Sequence, residues 1–359
     1  MRLVRSGVAK LIGAVHGADP EAAGRLRRAL AFDYSRPRDK PECDWRKKSI
    51  RERMLSEVAS DARRAAAALC AEPELAGAPA IAEALALLEQ LIGQDFEIDQ
   101  DDVPRLRRGV AQGRIVSVVD PEMRHGRKSA SSRFDGYKIH AAATSDGRLI
   151  TGVGVSPGAD HDGAHAAGLV DQQAADRRPA RIMGDTAYGD QATRAALASR
   201  RVDVLALVPA GAPAHDRFPK ADFRIDLEGG HVTCPAGQGA PIGPRHASGQ
   251  RVAGFARAVC AGCPMRARCL PPGGQRQIRI GPREDLLIAA RAALEDPPTA
   301  AHLRRSRPRI ERLLSLLAHR YRGRKSRYFG RQKSLLQAAW SAALVNLNPI
   351  GAALRAQAA

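Results

Sequence analysis

No apolar run in this chain approaches the ~18 residues that a membrane span needs, so no transmembrane helix is expected. The opening Met1-Arg2-Leu3-Val4-Arg5-Ser6 lacks the apolar stretch of a secretory signal. A cytoplasmic, reducing setting is the resulting expectation. In that setting six cysteines are expected as metal ligands or inert core residues rather than as disulfides. No internal repeat is present. Acidic residues are in deficit: 38 Asp and Glu stand against 57 Lys and Arg, a formal charge of +19. A surplus of that size suits a polyanion, and nucleic acid is the commonest one. A solvated basic surface is the plainer alternative. Lysine is sparse beside arginine; Ala, Gly and Pro are also abundant, as a GC-rich genome would produce, so the arginine choice itself carries no argument.

A chain of 359 residues can bury a large core and carry two or three domains or subdomains. Apolar residues recur at helical spacing over Glu21 to Phe32, Lys48 to Cys70 and Ala80 to Ile92, with Pro79 suited to a helix start. Asp33 to Trp45, with two prolines and many charges, reads as a loop. From Arg114 the pattern changes. Arg114 to Asp120, Gly136 to Thr144 and Arg148 to Val155 read as three strands, the last two joined by the hairpin signal Ser145-Asp146-Gly147. Then follow a helix over Asp162 to Ala175, a strand over Arg181 to Asp185, a helix over Gln191 to Arg200 and a strand over Val202 to Val208. An antiparallel meander followed by helix, strand, helix, strand is the order of a ribonuclease H-like α/β layer. After Pro209 the pattern dissolves until about Pro282, a stretch too long for an ordinary loop. Helices resume over Glu284 to Leu294, in a long segment ending near His319, and over Gln332 to Leu347. The expected organisation is a helical N-terminal region at 1–110, the first part of the mixed-sheet core at 111–210, a cysteine-containing insertion at 211–282, and C-terminal helices completing the core at 283–359.

Three acids stand out in this frame. Asp120 and Asp185 each close a short β-branched run, and Glu311 lies on a helix ahead of a strongly basic stretch. Carboxylates at strand ends can converge on Mg²⁺, and two such ions can clamp the attacking and leaving oxygens of a phosphodiester. Each aspartate has a bland reading too. Asp185 suits a helix cap, and Val119-Asp120-Pro121-Glu122 suits a turn.

The chain resembles the DDE transposases of bacterial insertion sequences over roughly Arg114 to Pro349. The resemblance rests on Gly126-Arg127-Lys128-Ser129 with Phe134-Asp135-Gly136-Tyr137-Lys138-Ile139-His140, then Gly184-Asp185-Thr186-Ala187-Tyr188-Gly189-Asp190, then Arg307-Pro308-Arg309-Ile310-Glu311. Arg327-Tyr328-Phe329-Gly330-Arg331 and Ala343-Leu344-Val345-Asn346-Leu347 close the pattern. It implies a ribonuclease H-like core, two catalytic Mg²⁺ ions, Asp185 as second and Glu311 as third acidic ligand, and Arg307 as part of the same pattern. It also implies DNA, as transposon ends and target, as substrate and a homodimer on that DNA. Asp162, which opens the helix after the third strand, matches a family position and is expected to cap it. The chain departs from the family in having no Asp-Ser-Thr or Asp-Gly-Thr tripeptide, where the first ligand usually sits. Asp120 then stands as first ligand by topology, or the first ligand is missing and the chain is a truncated, inactive remnant that only binds DNA. The basic residue expected seven positions after the glutamate is Ala318, with His319 and Arg320 beside it. Pro308 is expected to fit only if a helix begins near Ser306 or Arg307.

Four of the cysteines form Cys234-x25-Cys260-x2-Cys263-x5-Cys269 inside the pattern-poor insertion. Four thiolates at such spacing can hold a structural Zn²⁺; an iron–sulfur cluster or a reduced, metal-free cluster are the alternatives. Cys43 and Cys70 are isolated and read as inert. Between Arg320 and Lys333 positive charge interleaves with aromatics. Arg320, Arg322, Arg324, Lys325, Arg327, Arg331 and Lys333, with Arg307, are the expected phosphate contacts; Tyr321, Tyr328 and Phe329 could stack on a frayed base. The alternative is a solvated loop whose aromatics fold back, with Phe329 packing inward.

Overall fold

Val4, Val8, Leu11 and Val15 recur at helical spacing in α1 (Arg2–Ala18), and all four are fully buried. Their partners come from α3 (Lys48–Cys70) and α5 (Pro79–Asp95), which contribute Val58, Ala62, Ile81, Leu88 and Leu91 to one cluster. Each Val or Leu buried in this way is worth about 1.5–3 kcal/mol before entropy is charged against it. Between them lies α2 (Pro20–Arg28), capped by Asp19, which accepts the Glu21 and Ala22 N–H groups. The short α4 (Pro73–Ala76) also starts on a proline, as do α2 and α5, where the missing N–H costs nothing. The computed structural model describes residues 1–359 except 38, 40, 101–102, 130, 211–216, 272 and 359. Residues 38 and 40 of the expected loop, and the expected start of the insertion at 211, lie outside the described residues.

The chain is mixed α/β, built of helices and small sheets, and divides into two compact units. One holds Met1–Lys138, Val155–Ala159 and Ser326–Ser334; the other holds Ile139–Gly154, Asp160–Lys325 and Leu335–Ala359. In the first unit the helices are followed by a small antiparallel hairpin, β1 (Phe96–Ile98) with β2 (Pro104–Leu106). The run Arg114 to Asp120 is not the strand its β-branched residues predict. Only Ile115 makes an isolated bridge, to Arg124. At Ile115 a side chain occupies the other edge: the Gln94 side chain accepts from the Ile115 N–H at 2.9 Å and donates to its carbonyl at 3.1 Å. A side-chain amide thus takes the backbone groups that a neighbouring strand would have paired. The meander begins later, with sheet order β3 (Arg124–Arg127), β4 (Arg133–Ala143), β5 (Ile150–Pro157).

The second unit carries the β4–β5 turn, Thr144 to Leu149, where Gly147 has φ +68 and suits the left-handed geometry. The helix expected from Asp162 to Ala175 is broken into a 3₁₀ turn, Asp162–His165, and α6 (Ala166–Asp171). The helix stops where Gln172 and Gln173 turn back to bond the β5 edge, at Val153 and Thr151. β6 (Arg181–Met183) and β7 (Asp203–Leu205) pair in parallel across α7 (Gln191–Ala198). Among the described residues this pair forms a sheet separate from the meander. The cysteine-bearing stretch has more regular structure than its sequence shows. β8 (Arg224–Asp226), β9 (His231–Thr233) and β10 (Gly239–Pro241) form one sheet. β11 (Arg251–Gly254) pairs with β12 (Gln277–Ile280), with α8 (Arg257–Ala261) between them. Strands of three or four residues are too short to leave a legible alternation. They enclose a core of their own around Phe223, Val232, Phe255 and Ile280.

Three helices close the chain: α9 (Glu284–Glu295), α10 (Pro297–Ser315), which runs into a π-helical turn at Leu316–Arg320, and α11 (Arg331–Ala358). The expectation for Pro308 is corrected: α10 starts at Asp296, whose side chain caps Thr299, and passes straight through Pro308. The ring removes one donor from the helix interior. No helix among the described residues is long and apolar enough to cross a membrane.

Candidate functional site

Asp185 follows β6 by two residues and is exposed. One carboxylate oxygen accepts the Ala187 N–H at 2.9 Å, capping the 3₁₀ turn Thr186–Tyr188. The cap reading and an available carboxylate therefore coexist. The turn is anchored from below by Arg194, a buried side chain on α7. It donates to the carbonyls of Gly189 at 2.9 Å, Val204 at 2.6 Å and Ala206 at 2.7 Å. One guanidinium so ties the Asp185 turn to β7. The segment Asp160 to Gly163 presses on the same turn. A Cβ at Gly163 would collide with Thr193 and lie 2.7 Å from the Ala187 carbonyl, so only glycine fits. His161 Nδ1 lies 3.7 Å from Asp190. Burial pushes the Tyr188 hydroxyl up to about 12, with the charges of Asp162 and then Asp185 adding to the effect. Asp162 is thus an electrostatic neighbour of the Asp185 turn. The expected helix cap is corrected: Asp162 lies within the 3₁₀ turn, His161 holds the N-cap position without a side-chain cap bond, and α6 is capped by no side chain either.

Glu311 is exposed on α10, one turn beyond Arg307, whose guanidinium lies 3.6 Å from it. Its helix is seated on the meander within the same unit. Arg309 donates to the Ser145 carbonyl at 2.9 Å and Arg312 to Gly147 at 3.4 Å. Ile310, Leu313 and Leu317 pack with Ile150, Ala342 and Val345. Asn346 of α11 both donates to and accepts from the Ile150 backbone, at 2.8 Å each way. The same α10 also packs against β6, the strand that leads into Asp185. The unit therefore holds Asp185 and Glu311 on elements that touch.

Asp120 belongs to the other unit and is 3% exposed. Both of its oxygens are engaged there: one accepts the Tyr137 hydroxyl at 2.6 Å, the other the Gly330 N–H at 2.8 Å. Burial first, then the Asp120 bond, push the Tyr137 hydroxyl above its ordinary range. Glu122 accepts the Arg331 N–H at 2.8 Å. The two acids act as a clamp on the start of α11. Among the described residues, no group of three or more His, Cys, Asp or Glu side chains forms a set able to hold a metal.

The basic stretch runs from Arg320, the last residue of the π turn, through a loop and into the first turn of α11. Arg320, Arg322, Arg324, Lys325, Arg327, Arg331 and Lys333 are exposed, and Arg307 is half-buried. Tyr328 is 50% and Phe329 66% exposed, so Phe329 does not pack inward. Tyr321 does turn back: its hydroxyl accepts from Asn348 at 3.0 Å. Gly323 is buried against Leu317 and holds the loop down between exposed arginines.

The four clustered cysteines come together. Cys234, Cys260, Cys263 and Cys269 line one cavity of about 30 Å³, with Phe255 and Leu270 in its walls. All four are free thiols. Burial pushes the Cys269 thiol up; Arg276 opposes this, and the charges of Cys260, Cys234 and Cys263 add to it. Cys43 and Cys70 lie apart, in the helical region; Cys43 is half-buried and Cys70 is exposed rather than packed as its sequence setting suggests.

Residues 233–350 match the family model for a transposase DDE domain. The match supports the DDE-transposase resemblance read from the motifs. It covers about a third of the chain, including Glu311, the whole basic loop and the four cysteines, and leaves Asp120 and Asp185 outside. No curated protein and no solved structure matched the chain.

Proposed function

We propose that this chain is a DDE-type transposase of the insertion-sequence kind, with a ribonuclease H-like core, that cleaves and transfers DNA strands in a Mg²⁺-dependent reaction. The observation that carries this reading is that the helix bearing Glu311, inside the transposase DDE match, packs against the strand leading into Asp185. The donors suit the ion. Asp185 keeps one carboxylate oxygen without a hydrogen bond among the described residues, and Glu311 is open to solvent. Both offer the hard oxygen ligands that Mg²⁺ prefers. Mg²⁺ bound there would stabilise charge on the attacking and leaving oxygens of a phosphodiester. Arg307 restrains Glu311 from one turn away. The exposed arginines and lysines of the basic loop hold phosphates of the transposon end or target, and exposed Tyr328 and Phe329 offer faces to an unstacked base. A homodimer on DNA and a cytoplasmic location belong to the same reading.

A second reading, a remnant that binds DNA without cutting it, is favoured by Asp120. Both of its oxygens are consumed within its own unit, which leaves the first acidic position without an evident occupant. One experiment separates the two. Purified chain is incubated with supercoiled plasmid DNA and Mg²⁺. The transposase reading expects nicking that Glu311→Gln and Asp185→Asn abolish while DNA binding survives. Undiminished nicking by Glu311→Gln would remove Glu311 from the site. Binding with no nicking by the unaltered chain establishes the second reading.

A further inference from the structure

The cysteine-bearing stretch has a weak core for its length. Its strands are three or four residues long, in two separate small sheets. Its buried apolar set is small, centred on three phenylalanines, Phe218, Phe223 and Phe255. A core of that size rarely supplies more than about 3–5 kcal/mol, and small modules of this kind need a staple. Cross-links do not supply it, since all the cysteines are free.

The thiols arrive at the shared cavity from three different turns, each fixed by its own backbone. Cys234 ends β9 and begins a tight turn: its N–H donates to the Gln238 carbonyl at 2.8 Å, and Gly237 donates back to the Cys234 carbonyl at 2.9 Å. Cys260 lies on α8 and Cys263 just beyond it, with Gly262 between. Cys269 follows a 3₁₀ turn and donates its N–H to Arg266 at 2.9 Å. Arg266 in turn bonds the Cys260 carbonyl at 3.0 Å. Three independently folded turns that deliver four sulfurs to one space make a preformed pocket.

We propose that Cys234, Cys260, Cys263 and Cys269 form a four-thiolate structural zinc site. An all-sulfur donor set in an apolar wall selects a soft or borderline ion and rejects Mg²⁺ or Ca²⁺. The four cysteines that line the cavity match the donor number and type of a tetrahedral zinc centre. The four cysteines line one space, and zinc binding would draw their sulfurs onto one centre at Zn–S distances near ~2.3 Å. In that step four S–H bonds break, four Zn–S bonds form, and four protons pass to solvent. The resulting centre carries two net negative charges. Arg266 and Arg276, both lining the cavity, offset them. Arg276 is itself held in place, donating to the Phe218 carbonyl at 2.8 Å and lying 4.7 Å over the Phe223 ring.

The test uses the full chain, purified under reducing conditions without chelator, and no readout depends on DNA. Elemental analysis is expected to find one zinc per chain. After removal by chelation, titration with Co²⁺ is expected to give the visible absorption of a tetrahedral thiolate site, saturating at one equivalent and displaced by Zn²⁺. Cys260→Ser with Cys263→Ser is expected to lose both zinc and the cobalt spectrum; Cys43→Ser with Cys70→Ser is expected to keep them. Absence of zinc with no tetrahedral cobalt spectrum overturns the proposal. So does iron with inorganic sulfide in the purified protein, or full zinc content in the Cys260, Cys263 double variant. If that variant does not fold, the cobalt spectrum of the unaltered chain decides alone.

Discussion

Replacing Asp120 by Asn tests whether that carboxylate is a brace or a ligand. The structure gives it two charge-assisted bonds, from the Tyr137 hydroxyl at 2.6 Å and the Gly330 N–H at 2.8 Å, at a position only 3% exposed. Hydrogen bonds to a charged group are each worth about 1.5–3 kcal/mol net. Asparagine keeps one oxygen acceptor, at neutral strength, and sets its NH₂ against the second donor. The expected loss is about 2–4 kcal/mol. At roughly 2–4 °C per kcal/mol for a unit of this size, the melting transition should fall by roughly 5–15 °C. Tyr137→Phe removes one bond only and should cost about 1–2 kcal/mol. Scanning calorimetry measures the global loss, and hydrogen exchange at the Gly330 amide measures the local one. Gly330 should be protected in the unaltered chain and exchange much faster in Asp120→Asn. A melting temperature unchanged within about a degree, with Gly330 still protected, would refute the brace. Asp120 would then have a carboxylate to spare for a metal.

Two further outcomes follow from the geometry. Arg194→Met should strip three buried carbonyls of their donor and cost about 3–5 kcal/mol in the stability of its unit, read by urea unfolding; a loss below about 1 kcal/mol would mean that water or a backbone shift replaces the guanidinium. Replacing Arg322, Arg324, Lys325 and Arg327 together with Ala should weaken DNA binding and flatten the slope of log affinity against log salt by up to about 3–4, and an unchanged slope would show that this loop does not touch phosphate.

Much of the architecture is local and was legible in the residues. α3 and α5 carry unbroken helical periodicity, and Pro79 marks where α5 begins. β4 and β5 flank Ser145-Asp146-Gly147, so their pairing needed only a short turn. The motifs around Asp185 and Glu311 were equally visible, as was the cysteine spacing. What the residues could not say was where distant partners return. Arg114 to Asp120 has strand composition, yet its described pairing is a single bridge from Ile115, whose own N–H and carbonyl bond the Gln94 side chain. Asp120 reads the same whether it holds a metal or a backbone amide, and Gly330, 210 positions downstream, is what occupies it. Cys234 joins the other three thiols only because two small sheets fold around Phe255. Periodicity and turn chemistry act over a few residues and are written in composition. A carboxylate's or thiol's role depends on which donor, cation or sulfur the folded chain places against it, and in this chain tertiary structure made that choice.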